Sequence, residues 1–158
     1  MKRHMDDALF LSLKQIIHKN GRIELPAQGS SMFPFIRNGN LCSFRPVGES
    51  RVSVGDILLF RSASSRLVAH RLHSVVYRDG ESLYICKGDA NLGYDEPIRA
   101  EQMLGVLHSI RKGNKHILMS DPLTAFWTKA IVALPALSSG LNRYMSGKTA
   151  DPIGGRSE

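Results

Sequence analysis

The chain has 158 residues, 42% of them hydrophobic and 22% charged, with a formal net charge of +7. That length suits one domain with a real core and would leave two independent domains marginal, and the composition is that of a globular chain rather than a disordered or membrane-embedded one. Positive charge favours anionic partners, but Arg37, Arg45, Arg51, Arg61, Arg66, Arg71, Arg111, Lys112 and Lys115 lie in different segments, which predicts a solvated basic surface and no specific nucleic-acid site. Two cysteines, Cys42 and Cys86, are too few for a disulfide framework or a thiolate zinc site, and no metal or other cofactor is expected.

In chain order, residues 1–21 form the first unit. Acidic residues precede the apolar run in MKRHMDDALFLSLKQIIHK, which argues against a secretory leader. Leu9, Leu13, Ile16 and Ile17 recur at helical steps, so the spacing predicts an amphipathic helix over Asp6–Lys19, stopped near Asn20 and Gly21. From residue 22 to about 120 the pattern becomes β-type. The runs RIELPA, LCSFRP, DILLFRS, RLVAHRLHSVVY, SLYICKG, MLGVLHSI and KHILMS alternate with turn clusters such as Arg78-Asp79-Gly80 and Gly113-Asn114. Short strands at this spacing predict a mainly β fold, a coiled antiparallel sheet or partly open barrel. Residues 121–146 read as a helical segment, about Leu123–Met145, and 147–158 as a disordered tail too poor in apolar residues to fold alone. Within the helical segment, Ala130–Leu137 (AIVALPAL) is about half the length of a bilayer crossing and contains Pro135. The expected location is cytoplasmic, with contact between this segment and a membrane surface left open.

Three loops and strands hold residues suited to chemistry. In Gly29-Ser30-Ser31-Met32-Phe33-Pro34 a serine follows a flexible glycine and precedes a turn, which can expose both a hydroxyl and backbone N–H groups suited to an oxyanion hole; Gly-Ser-Ser is also ordinary loop material. In Val68-Ala69-His70-Arg71-Leu72-His73 strand alternation puts Val68, His70 and Leu72 on one face and Ala69, Arg71 and His73 on the other. His70 then lies among aliphatic side chains, a setting that keeps an imidazole neutral and available as a base, although a core histidine bonded to backbone fits the same pattern. A metal site built on His70 and His73 fails on that geometry. In Lys87-Gly88-Asp89-Ala90-Asn91-Leu92-Gly93-Tyr94-Asp95 two acids share one loop and either can orient an imidazole. The structural alternative, an Asx turn in which Asp89 bonds its own loop backbone, is preferred for Asp89, and the orienting role for Asp95.

Taken in order, these segments resemble the signal-peptidase clan, in the branch that uses Ser-His in place of Ser-Lys. GSSMFPFIRNGN is similar to the family's Gly-x-Ser-Met-x-Pro segment, VSVGDILLFR to its Val-Gly-Asp segment, LVAHRL to its His-Arg strand, KGDANLGYD to its Lys-Gly-Asp-x-Asn loop with a later Asp, and MLGVLHSI to its closing strand. The likeness spans about Gln28 to Ile110, roughly half of the chain. It implies a peptidase-type β fold shared with LexA-like domains, Ser31 as nucleophile, His70 as general base, Asp95 as orienting acid and Asp89 as a structural or second-choice acid. It further implies one oxyanion donor in the Ser31 backbone amide and a second in the Ser30 hydroxyl, the family's usual side-chain donor falling at Gly29. The reaction implied is acyl transfer on a peptide or small protein, such as a leader peptide.

Asn40 stands where the family has Asp, a change expected to touch a turn only. An amphipathic helix stands in place of the family's N-terminal anchor, which counts against secretory signal-peptide cleavage as the task. Two rival readings are a catalytically silent peptide-binding module of the same fold and a LexA-like self-cleaving protein; the second wants a lysine where this chain has His70. Ser146-Gly147-Lys148-Thr149 imitates the end of a phosphate-binding loop, but position 142 is Asn where its first glycine belongs.

Overall fold

The computed structural model describes residues 5–48 and 51–148. Helix α1 (Asp7–Asn20) begins where the Asp6 carboxylate accepts the Leu9 N–H at 2.7 Å, satisfying one of the orphan donors of its first turn. Its inward stripe is Phe10, Leu13 and Ile17. Leu9 and Ile16, also expected on that stripe, are 45% and 44% exposed. Leu13 and Ile17 lie on the stripe as expected, and Phe10 takes the inward place of Leu9. Ile17 packs where the sheet offers a close approach at Gly105: a Cβ there would lie 2.9 Å from Ile17 Cδ1 and 2.6 Å from the Arg45 carbonyl oxygen.

All seven expected strands form, as β1 (Ile23–Pro26), β2 (Leu41–Pro46), β3 (Ile57–Arg61), β4 (Leu67–Arg78), β5 (Glu81–Lys87), β6 (Met103–Lys112) and β7 (Lys115–Leu118). They make one antiparallel sheet in the order β1-β2-β6-β3-β4-β5, with β7 folded back on β6. The sheet is coiled but does not close into a barrel; bulges at Ser43/Phe44, Leu59/Phe60 and Leu72/Ser74 bend it. The β4–β5 hairpin turns through Asp79 and Gly80, both at positive φ, as a type I′ turn demands.

The centre of the sheet is β3, buried on both faces. Ile57 and Leu59 join Phe44, Leu104, Leu107, Ile110 and α1 in one apolar cluster, while Leu58 and Phe60 join Leu72, Cys86, Ile98 and Met103 in another. An uninterrupted run such as ILLF is what a strand covered on both sides requires.

The expected single C-terminal helical stretch is two helices, α2 (Pro122–Ala133) and α3 (Pro135–Lys148). The break falls at Leu134, because Pro135 has no N–H to continue the ladder and its ring crowds the preceding turn. Helix α3 runs through Gly147 and Lys148, two residues into the segment expected to be disordered, so the Ser146-Gly147-Lys148 run is helix. Residues 149–158, the rest of that expected tail, lie outside the described residues. Among the described residues no helix is long and apolar enough to cross a membrane.

Candidate active site

Past β1 the chain makes a compact turn over residues 31–36, pinned by Met32 and Ile36, whose side chains enter the core. The turn is closed by an Ile36 N–H to Met32 carbonyl bond of 2.9 Å, and the Asn40 side chain accepts the Arg37 N–H at 2.8 Å. Asn40 thus serves a turn, as expected. The turn is held against the loop after β5 by the Ala90 N–H, which donates to the Ser31 carbonyl at 2.9 Å. Gly88 makes this approach possible: a Cβ at that position would stand 2.7 Å from the Ser31 carbonyl oxygen.

His70 comes from the middle of β4, opposite Leu58 of β3. Its ring meets the edge of Phe60 at 6.4 Å, on the same apolar side as Val68 and Leu72, and the residue is 8% exposed. Asp95 is fixed by its own N–H, which donates to the Cys86 carbonyl at 2.8 Å. The three side chains meet in a row: Asp95 Oδ2 lies 2.6 Å from His70 Nδ1, and His70 Nε2 lies 2.9 Å from Ser31 Oγ. A carboxylate can only accept, so Nδ1 carries the proton on that side and Nε2 is left to accept the serine hydroxyl.

The structure separates the two loop acids. Asp89 does not bond its own turn, and that expectation is corrected. Its carboxylate takes a two-point bond from Arg71, Nε to Oδ1 at 2.8 Å and Nη2 to Oδ2 at 2.8 Å, with both side chains fully excluded from solvent. Oδ2 also accepts the Trp127 indole N–H at 3.1 Å, while Arg71 Nη1 donates to the Gly55 carbonyl at 3.0 Å and to the Thr128 hydroxyl at 2.8 Å. The residue after the histidine is thereby tied to the loop that leads to Asp95 and to α2. Asn142 Nδ2 adds a bond to the Ala90 carbonyl at 3.2 Å, and Tyr144 stacks on Phe33, so α3 grips the same two loops.

Arg71, Trp127 and Thr128 were not singled out from the sequence. For Arg71 the signal was a cationic residue beside the histidine inside a strand, which demands a buried counter-charge. Trp127, the one tryptophan of the chain, gave no sign of its partner.

His73 takes no part in the row. The bulge between Leu72 and Ser74 interrupts strict alternation there, and the imidazole stacks edge-on against Tyr94 at 5.5 Å, with its buried Nε2 meeting no partner among the described residues. Burial first, then the nearby Lys87 and Arg71 cations, lower its pKa, with Asp89 opposing. Ser30 is exposed, and its carbonyl accepts the Phe33 N–H at 3.1 Å. The Ser31 N–H donates to none of the described residues.

A surface pocket of about 610 Å³ lies elsewhere, lined by Arg22, Arg45, His108 and His116 among others, and shares no lining residue with the Ser31–His70–Asp95 row. There Arg45 donates to His108 Nε2 at 2.9 Å, and burial together with Arg45 and His116 lowers the His108 pKa. Among the described residues it offers no nucleophile hydrogen-bonded to a base, so the row is the better candidate for chemistry. Comparison of the chain with protein-family models, with curated proteins and with solved structures finds no match.

Proposed function

We propose that this chain is a serine-type endopeptidase of the signal-peptidase type, cleaving a peptide bond in a small protein or leader peptide through an acyl-enzyme. The observation that carries the reading is the hydrogen-bonded row Ser31 Oγ–His70–Asp95, at 2.9 and 2.6 Å, with the histidine buried and both of its ring nitrogens engaged. Those lengths are within reach of proton transfer, and the motif likeness over Gln28–Ile110 assigns the same three residues.

In the first half-reaction Ser31 Oγ bonds to the carbonyl carbon of the scissile peptide while its proton passes to His70 Nε2. The carbonyl oxygen becomes an oxyanion and meets the Ser31 N–H, with the Ser30 hydroxyl as second donor. Collapse breaks the C–N bond, and His70 returns the proton to the leaving amine. In the second, water gives its proton to His70 and attacks the ester carbonyl, and Ser31 leaves as it regains a proton. Asp95 accepts Nδ1–H throughout, holding the ring in the productive tautomer and stabilising the imidazolium.

The test is labelling by a serine-reactive phosphonate, together with turnover of candidate small-protein substrates followed by mass spectrometry. Wild type should form a covalent adduct on Ser31. Ser31→Ala should lose the adduct and turnover by on the order of a millionfold while keeping its melting temperature, since only a hydroxyl in a loop is removed. An Ala variant within tenfold of wild type sinks the serine mechanism.

A further inference from the structure

Helix α2 is apolar on two sides, and the protein covers only one. Its inner side packs on the catalytic unit: Thr124 and Ile131 are buried, the Trp127 indole bonds Asp89 and the Thr128 hydroxyl accepts from Arg71. Its outer side is a second stripe. Leu123, Phe126 and Ala130, with Leu134 just past the helix end, follow at steps of three or four and so stand above one another. Leu123 is 84% exposed, Phe126 73% and Leu134 54%. A helix that is hydrophobic all round belongs in an interior or at an interface, and neighbouring large apolar side chains left in water mark a docking face.

The charge around this stripe indicates what it meets. Residues 122–148 contain Lys129, Arg143 and Lys148 and no carboxylate, in a chain of net charge +7. An apolar stripe beside exposed cations, on a helix of 12 residues that is too short to span a bilayer, matches the boundary between headgroups and acyl chains of an anionic membrane. We propose that the outer face of α2 docks on an anionic phospholipid surface, the helix lying in the membrane plane with Leu123, Phe126 and Leu134 inserted and Lys129 at the headgroups. Trp127, on the inner side, bonds the loop acid Asp89, so docking holds the Ser31–His70–Asp95 row beside the membrane. The docking itself stands independently of the peptidase reading.

The experiment is co-sedimentation of the full chain with vesicles of phosphatidylcholine alone and with vesicles containing phosphatidylglycerol. The double variant Leu123→Ser/Phe126→Ser should partition onto phosphatidylglycerol vesicles at least tenfold more weakly than wild type. Both side chains being exposed, its melting temperature should match. Lys129→Gln/Arg143→Gln should weaken the same binding and flatten its dependence on salt, and wild type should bind phosphatidylcholine at least tenfold less. Equal partitioning of wild type and the serine double variant overturns the proposal, as does equal binding to both vesicle types. Sedimentation velocity supplies a further check: a dimer that dissociates in the serine double variant, with no binding to either vesicle, would make the face a self-interface and also overturn it. Ser31→Ala should bind as wild type does, so failure of the peptidase reading leaves this result untouched.

Discussion

Asp89→Asn should be a stability variant and not a catalytic one. The Arg71 and Asp89 side chains are both 0% exposed and joined by two bonds of 2.8 Å, with Trp127 adding a third to the same carboxylate. Asn preserves the shape and one acceptor but removes the negative charge, while the guanidinium stays protonated. An unpaired cation is then left in the interior, and breaking such a pair costs about 3–5 kcal/mol, a large fraction of the roughly 5–15 kcal/mol of a typical domain. At about 2–4 °C per kcal/mol for a domain of this size, the melting temperature should fall by on the order of 6–20 °C. Urea and thermal unfolding followed by circular dichroism would measure it, with Trp127 fluorescence reporting the local contact. Turnover per folded molecule should stay within about tenfold, because no atom of the Ser31–His70–Asp95 row is touched. A second variant isolates the cause: Arg71→Met/Asp89→Leu removes both charges and should be less destabilised than Asp89→Asn. A loss under about 1 kcal/mol for Asp89→Asn, the scale of a turn or cap bond, would refute the reasoning, as would a double variant less stable than the single.

Asp95→Asn should show the opposite behaviour, keeping its melting temperature and losing turnover by up to ~10⁴-fold through the wrong imidazole tautomer; side-by-side turnover and melting curves with Asp89→Asn would reverse the two assignments if Asp95→Asn proved the active one. Gly88→Ala drives a Cβ to 2.7 Å from the Ser31 carbonyl oxygen, and because backbone cannot yield as a flexible side chain does, Ser31 should shift and turnover fall by at least tenfold. Steady-state rates within twofold of wild type would show that the turn absorbs the methyl group without cost. Burial pushes the Cys42 thiol up to about 11 and the Cys86 thiol up to about 12, Asp95 adding to the latter and Lys112 opposing in the former. The reactive thiolate is therefore scarce at neutral pH, and a thiol-disulfide reagent should label neither cysteine until denaturant is added; prompt labelling of the native chain would contradict the buried placement.

Local pattern was enough wherever the physics is local. Alternation and turn chemistry located every strand, down to the Asp79-Gly80 turn, and the order of short motifs brought Ser31, His70 and Asp95 forward as one site. Where two periodicities or two partners competed, the pattern was insufficient. In α1, where Phe10 faces inward and Leu9 and Ile16 do not, the choice between neighbouring apolar residues depended on how the helix sits on the sheet, and helical spacing alone does not report that. The break at Pro135 was visible as a proline inside an apolar run, and the single helical stretch expected over Leu123–Met145 runs through it.

What the sequence determined by itself is the class of the fold, because strand alternation and turn residues are properties of short segments; Ser31, His70 and Asp95 came forward together only through the order of motifs that resembles the signal-peptidase clan, since each segment alone also fits a structural role. Only the tertiary structure decided what Asp89 does. A carboxylate after Lys-Gly can bond its own turn, orient an imidazole or neutralise a buried cation, and the choice depends on which groups arrive from elsewhere. Here Arg71 comes from β4 and Trp127 from α2, 18 and 38 residues away in the chain. A charge removed from water must be neutralised by whatever lies within hydrogen-bonding distance, and that distance is set by packing.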